Sequence, residues 1–400
     1  HNRDIYMRTD DSVVRTFAGK ERVLRRSRGY VPYPIDLGFP MRELLACGGE
    51  LKNTFCLAKD HYAILSQHIG DLENYETLSF FEETLANLTK LFRVEPQAVA
   101  FDLHPRYMSS RFAHALDLER KIGVQHHHAH IASCMAENRL REKVIGVAFD
   151  GTGYGTDGQI WGGEFLVADF AGFERRAHLR CVPLAGGDAS VRHPWRMAMS
   201  YLHDAFGDHI PEQALRFHTV PEKERSIVDT MLARRINTVQ TSSCGRLFDA
   251  VASLIGLRQH VTFEGQAAIE LETISESGVS GHYSYEITGN EAAEIDLRPM
   301  IIEIVQELAS KTQGEIAARF HNTLSEIMVA VCTRIRKSDK LNRVCLSGGT
   351  FQNMYLLERA VRGLEKDGFE VYLHCAVPLN DGGLSLGQAV IANEILRKDL

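Results

Sequence analysis

The sequence predicts an α/β protein with a duplicated, two-lobed fold and a largely helical insertion in the second lobe. Three observations carry that expectation. Units of strand, glycine-rich turn and further strands begin near Leu44 and again at Val144. Helices alternating with strands follow each unit, and repetition on this scale marks a duplicated structure. Within the second unit, residues from about 190 to about 300 read as mostly helical. Such a fold places a cleft between lobes, the usual home of a small ligand.

Residues 1–35 differ from the rest. They are Arg-rich and end in Tyr30-Val31-Pro32-Tyr33-Pro34, where two prolines suit an extended linker. The first lobe spans 36–143. A strand from Leu44 runs into Cys47-Gly48-Gly49-Glu50, and two more are expected at 54–58 and 62–66. A helix carries Leu78, Phe81, Leu85, Leu88 and Leu91, and a strand Ala98–Asp102 follows. A second helix, a short strand at 122–124 and a helix over the histidines complete this lobe. The second lobe spans 144–400, with strands at Val144–Asp150, 162–168 and 178–182. Helices from Trp195 to His260 come next, then a strand pair near Glu270 and Tyr283–Thr288. One or two long helices over 301–337 precede the last unit. That unit is strand Val344–Ser347, a glycine turn, a helix to Leu364, strand 370–373 and a closing helix from Gly383.

The bulk numbers narrow the function. An apolar content of 44% and a charged content of 24% suit a globular protein. A net charge of -7 argues against a nucleic-acid partner, which needs clustered Lys and Arg. No apolar run reaches the roughly 18 residues of a membrane span. The eight cysteines are scattered without a Cys-x-x-Cys pair, so buried free thiols in a reducing cytoplasm are expected. No signal peptide is evident, and the start at His1 without Met suggests a piece of a longer protein.

The chemistry concentrates in His126-His127-His128-Ala129-His130 and in Asp150. His126 and His130 are four apart and share one face of a helix. Asp150 closes the apolar run Val144–Phe149. Two imidazoles and a carboxylate suit a divalent metal with open positions; a surface histidine cluster beside an ordinary strand end is the alternative. Four glycine turns recur: Cys47–Asn53, Asp150–Gly155, Ser347–Asn353 and Asn380–Gly383. The second lacks the following helix that a dinucleotide fingerprint needs, so it reads as a hairpin turn whose amides can approach an anion. The third opens a helix, where amides favour phosphate. Asp381 is either an N-cap or a ligand. No P-loop motif occurs. Together the turns favour a phosphate-bearing ligand between the lobes. Residues 245–249 and 263–268 read either as the lining of an adenosine pocket or as packed, capped helix.

On these residues the chain resembles the HypF carbamoyltransferase family, which helps build the cyanide ligands of NiFe-hydrogenase. The matching stretches include His1–Ile5, Asp10–Arg15, Arg25–Tyr30, Cys47–Phe55, Ser66–Leu72, His126–His130, Asp150–Gly155, Ser347–Asn353 and Asn380–Gly383. The resemblance implies a fold of the actin/hexokinase (ASKHA) type, similar to the tRNA threonylcarbamoyl-transferase TsaD, with residues 1–35 as the tail of a preceding YrdC-like domain. It implies transfer of a carbamoyl group from carbamoyl-adenylate, made by the YrdC-like domain from carbamoyl phosphate and ATP, to the C-terminal cysteine thiol of HypE. It implies a divalent metal (Fe, Zn or Mg) held by His126, His130, Asp150 and Asp381. Phosphate would lie on Gly151, Thr152, Gly153, Gly155, Gly348 and Gly349 with Asn353 nearby. The adenosine end falls to Asp249, Glu264 and Gln266, and catalysis to Lys52 and Asn53, with Lys52 meeting carbamoyl or phosphate oxygens. An O-carbamoyltransferase, a tRNA threonylcarbamoyl-transferase and a non-catalytic nucleotide-binding scaffold are the competing readings.

Overall fold

Regular structure begins ahead of the proline stretch in which the sequence suggested a linker. In the computed structural model, which describes residues 2, 5–217 and 219–398, β1 (Val13–Phe17) and β2 (Lys20–Arg25) form an antiparallel hairpin. Its turn is Ala18-Gly19, with φ of 49° and 73°; two positive φ values match the twist of a tight hairpin. Residues 5–12 before it and the proline segment after it are irregular. In the motif His1–Ile5, residues His1, Arg3 and Asp4 lie outside the described residues.

The first half then runs β3 (Ile35–Ala46), β4 (Cys56–Leu65), α1 (Tyr75–Phe92), β5 (Ala98–Asp102), α2 (Met108–Ala115), β6 (Arg120–Val124) and α3 (His126–Glu137). The strands expected at 54–58 and 62–66 are one strand. Exposed Asp60, His61 and Tyr62 interrupt its apolar pattern but not its pairing, which continues through Met41 and Asp60. The sheet order is β4-β3-β5-β6. Successive residues of a strand face opposite sides. On β5, Val99 and Phe101 join Phe81 and Leu88 of α1 in one core, while Ala98 and Ala100 join Ile131 and Ala132 of α3 in another. Burial on both faces is why this strand reads as an unbroken apolar run.

The second half opens with β7 (Val144–Tyr154), β8 (Ile160–Asp169), β9 (Gly172–Leu179) and β10 (Val182–Ala185). Gly151 and Gly153, expected in a hairpin turn, lie inside β7. The turn falls later, where Gly158 N–H donates to the Gly155 carbonyl at 3.0 Å. Next come α4 (Asp188–Arg192), α5 (Pro194–Phe206), α6 (Glu222–Arg234), β11 (Thr238–Thr241), α7 (Cys244–Leu254) and α8 (Gln266–Ile274). This block is helical except for β11. Glu270, expected in a strand, sits on α8, because Ala267 and Leu271 bury one face at helical spacing. The chain ends with β12 (Glu286–Thr288), β13 (Ala293–Asp296), α9 (Arg298–Glu307), α10 (Gln313–Asp339), β14 (Arg343–Ser347), α11 (Met354–Lys366), β15 (Glu370–Tyr372) and α12 (Leu384–Lys398).

The second sheet runs β12-β13-β9-β8-β7-β14-β15, with β10 and β11 attached at β8. Its first strand, β7, pairs antiparallel with β8 and parallel with β14. In the first sheet, β3 likewise pairs antiparallel with β4 and parallel with β5. The duplication is therefore present in the topology. α12, last in sequence, returns to the first sheet and packs on α3, β3 and β4. At the crossing, a Cβ on Gly387 would stand 1.9 Å from the Ala129 carbonyl oxygen, so only glycine lets the two helices approach this closely.

Candidate metal centre

α3 starts at the boundary between the two sheets. Gln125 caps it, its side-chain oxygen accepting the His128 N–H at 2.8 Å. His126 and His130, one turn apart, face the C-terminal part of β7. Asp150 Oδ2 lies 3.3 Å from His126 Nε2 and 3.2 Å from His130 Nε2. Asp381, in the short turn before α12, places Oδ1 at 3.8 Å and 3.5 Å from the same two nitrogens. One donor atom from each of these four residues lies within 4.8 Å of the others. Both histidines and Asp150 are buried, and Asp381 is partly open.

Three of these four residues are held from behind by the contacts that follow. His126 Nδ1 is 2.8 Å from Asp102 Oδ2, at the end of β5. Asp150 Oδ1 accepts the Gly349 N–H at 3.0 Å. A Cβ at Gly349 would press on that same oxygen at 2.9 Å, and one at Gly348 would collide with the Phe149 carbonyl at 2.2 Å. The turn carrying Asp381 is tied by Thr54 Oγ1 to the Gly382 carbonyl (2.9 Å), by Ser133 Oγ to the Gly383 carbonyl (2.8 Å) and by Asn380 Nδ2 to the Leu24 carbonyl (3.0 Å).

The electrostatics follow from this packing. Burial alone would lower the His126 pKa, but the Asp102 charge and hydrogen bond outweigh it and hold the imidazole well above its ordinary value. Burial alone would raise Asp150, yet hydrogen bonds from His126 and His130 hold it well below the usual carboxylate range. Two imidazoles and two carboxylates with converging donor atoms form a donor set suited to a divalent cation. A cation entering it must displace imidazole protons.

The other residues named from the sequence are distributed around this centre. Lys52 Nζ pairs with Glu264 across the two halves. Burial works against its charge, but Glu264, Asp381 and Asp150 outweigh that and raise its pKa. Asn53 is buried, and its amide donates to the Cys47 and Gly49 carbonyls at 2.9 and 2.6 Å, holding the glycine turn. Gly153 and Gly155 are crowded: a Cβ would meet the His127 ring at 2.4 Å or Trp161 Nε1 at 2.3 Å. Thr152 is partly buried beside them. Gly151 is overlaid by the start of α7, where Ser243 Oγ donates to the Gly151 carbonyl. On α7, Asp249 faces Arg246, with Oδ2 and Nη1 2.9 Å apart but not aligned as a hydrogen bond. Burial pushes Asp249 up to about 6. Gln266 is engaged locally, accepting the Thr262 N–H at 2.8 Å and donating to Glu270 at 3.0 Å. Asn353 caps α11 and lies 2.8 Å from His321 Nε2.

A cavity of about 340 Å³ lies against this centre. Lys52, Thr54, His68 and Glu264 line it, with Asn380 and Gly382 flanking Asp381 and Leu24 of the hairpin closing one side. Sequence reading gave Asp102 no role at the site. Asp102 closes the apolar run of β5 as Asp150 closes that of β7, so the same signature was there to be used.

Two sheets of matched topology, with side chains able to ligate a cation where they meet, define the two-lobed actin/hexokinase-like class. Comparison with known proteins narrows it. Residues 40–137 match the family described as HypF Kae1-like domain, and residues 146–388 match Carbamoyltransferase, Kae1-like Domain, second subdomain. The chain is 40% identical over 406 residues to Carbamoyltransferase HypF of Synechocystis sp., covering 97% of this chain and 52% of that protein. It is 37% identical to Carbamoyltransferase HypF of Rhizobium leguminosarum bv. viciae, covering 100% and 51%. A crystal structure of full-length HypF in the phosphate- and nucleotide-bound form superposes with a TM-score of 0.94 at 48% identity, covering 99% of this chain and 52% of that one. The chain belongs to the HypF carbamoyltransferase family, and it spans about half the length of these relatives.

Proposed function

We propose that this chain transfers a carbamoyl group from carbamoyl-adenylate to the C-terminal cysteine thiol of HypE, on the way to the cyanide ligands of NiFe-hydrogenase. One observation carries the reading: His126, His130, Asp150 and Asp381 converge, within 4.8 Å, against a cavity between the two halves of a HypF-family chain. Carbamoyl-adenylate would come from carbamoyl phosphate and ATP on a YrdC-like domain of the longer protein. Fe, Zn or Mg suits the donor set, and when bound it would supply positive charge for the adenylate phosphate. Lys52, paired with Glu264 and raised in pKa by the charges of Glu264, Asp381 and Asp150 against the effect of burial, is assigned to the carbamoyl or phosphate oxygens. Asn53 shapes the turn that carries Lys52. Gly151, Arg246 and Asp249 mark the nucleotide end, with Glu264 and Gln266 at its rim.

The attacking thiol comes from the partner. Burial pushes the chain's own Cys181 up to about 11 and Cys56 up to about 12, so neither supplies thiolate near neutral pH. With an adenylate leaving group, positioning and electrostatics carry the rate. The eight unpaired cysteines suit the cytoplasm. Among the described residues, no helix is long and apolar enough to cross a membrane.

Calorimetry with a non-hydrolysable carbamoyl-adenylate analogue tests the reading, using wild type and His130→Ala, with and without added divalent metal. Metal-dependent binding that is lost in the variant is the expected result. Equal binding by both proteins, or by neither, would remove the histidine pair from the mechanism.

A further inference from the structure

Both histidines of the metal centre turn their Nδ1 atoms toward protein, but they meet different partners. His126 faces the carboxylate of Asp102 directly, at 2.8 Å. His130 has no carboxylate at its Nδ1; it faces the Ser347 hydroxyl at 3.5 Å. That hydroxyl is 2.9 Å from His374 Nε2, and His374 Nδ1 is 3.1 Å from Glu137 Oε2. The other Glu137 oxygen accepts the N–H groups of Cys375 at 2.8 Å and Ala376 at 2.6 Å. The path thus leaves α3 at His130, crosses the end of β14, passes through the loop after β15 and rejoins α3 at its last residue. Ser347 and His374 are 0% and 2% exposed, so water does not compete for these contacts. The loop is gripped from outside by β2, where Arg22 donates to the His374 carbonyl and Val23 N–H donates to the Cys375 carbonyl at 2.9 Å.

The Ser347 hydroxyl also has the Leu379 carbonyl within reach at 3.4 Å, a longer contact than that to His374, and one arrangement of protons satisfies every link of the path. If His130 Nε2 keeps its lone pair for a metal, Nδ1 carries the hydrogen and donates it to Ser347 Oγ. Ser347 then donates its own hydrogen to His374 Nε2, and His374 Nδ1–H donates to the Glu137 carboxylate. All donors point the same way and end on an anion whose other oxygen is already committed to backbone. With a neutral His374 the reverse direction fails, because a carboxylate has no hydrogen to give. Aligned hydrogen bonds polarise one another, and a ligating histidine backed by a carboxylate is fixed in ring orientation and made more basic.

We infer that Ser347, His374 and Glu137 are positioning residues for His130, doing through three side chains what Asp102 does for His126 through one. The inference rests on the metal-centre reading above. The two ligands then differ in kind: His126 is tied to the first sheet, and His130 to the second sheet and to the loop under the N-terminal hairpin.

The test compares wild type with Ser347→Ala, which removes one oxygen, and Glu137→Gln, which keeps shape and removes charge. Zinc affinity is measured by competition with a chromophoric chelator. The visible spectrum of the cobalt-loaded proteins and the thermal midpoint of the metal-free proteins are recorded alongside. Affinity reduced by roughly 10–100-fold in both variants, with a changed cobalt spectrum, is the expected outcome. Should Glu137→Gln fold poorly, Ser347→Ala decides alone. Zinc affinities within about twofold of wild type, with an unchanged cobalt spectrum, would overturn the relay and leave the metal centre standing. A wild type that takes up neither ion would overturn the metal centre itself, and the relay with it.

Discussion

Asp102 and His126 form a buried pair, Oδ2 to Nδ1 at 2.8 Å, that joins the end of β5 to the first residue of α3. The contact turns the opposite ring nitrogen toward Asp150, 3.3 Å away. A carboxylate in that place selects the tautomer with the proton on Nδ1, leaving Nε2 as the ligating atom. Asp102 is therefore assigned to the candidate site through His126.

Replacing Asp102 with Asn keeps the volume and removes the charge. We expect metal affinity to fall by roughly 10–100-fold. Chelator competition measures it, and affinity unchanged from wild type would exclude Asp102 from the site.

We expect metal uptake to stabilise the folded chain, since the four donors come together only when it is folded. At a free metal concentration of 100 Kd the gain is about 2.7 kcal/mol. Thermal unfolding with and without metal reads it, and Asp381→Asn reduces it. Uptake also weakens as pH falls. Both His126 and His130 have raised pKa values in the folded protein, so protons compete with the cation increasingly as pH drops through those values. Calorimetry in buffers of different ionisation heat counts the protons released.

Asp249 gives a pH dependence of stability. Burial pushes its pKa up to about 6, against roughly 3.9 in an unfolded chain. A raised carboxyl contributes most below its unfolded value, and that contribution is lost as pH climbs through the folded one. The full loss, from well below pH 4 to well above pH 6, is roughly 3 kcal/mol, and about 2 kcal/mol of it falls between pH 4 and pH 6. Denaturant titrations across that range show a falling stability for wild type, and Asp249→Asn removes this slope whatever its effect on absolute stability. Parallel curves for the two proteins would contradict the assignment.

Gly387→Ala tests the crossing of α12 over α3. The new Cβ would meet the Ala129 carbonyl oxygen at 1.9 Å, and overpacking of this kind costs about 1–3 kcal/mol. Because the displaced helix carries His126 and His130, metal affinity falls together with stability. A variant as stable as wild type would show that the helices can separate freely.

Legibility tracked locality. The α1 stripe, the apolar run of β5 and the helix over His126–His130 were readable because each is a periodic pattern of neighbours. The hairpin at 13–25 was missed because Ala18-Gly19 is a modest turn signal beside two conspicuous prolines. The glycines after Asp150 suggested a turn, but Gly151 and Gly153 continue β7. Gly153 is needed there because the His126 and His127 rings leave no room for a side chain. Crowding by residues more than 20 positions away leaves no trace in the local sequence.

The α/β class, the duplication and the residues able to ligate a cation were legible without coordinates, since composition, period and side-chain chemistry are properties of the chain alone. Tertiary structure decided that Asp102 stands behind His126, that Asp381 reaches back to α3 from the far end of the chain, and that the helix following Asp381 packs on the first sheet. Those relationships join residues tens to hundreds of positions apart, and they arise from how two sheets and two helices bury their apolar faces together.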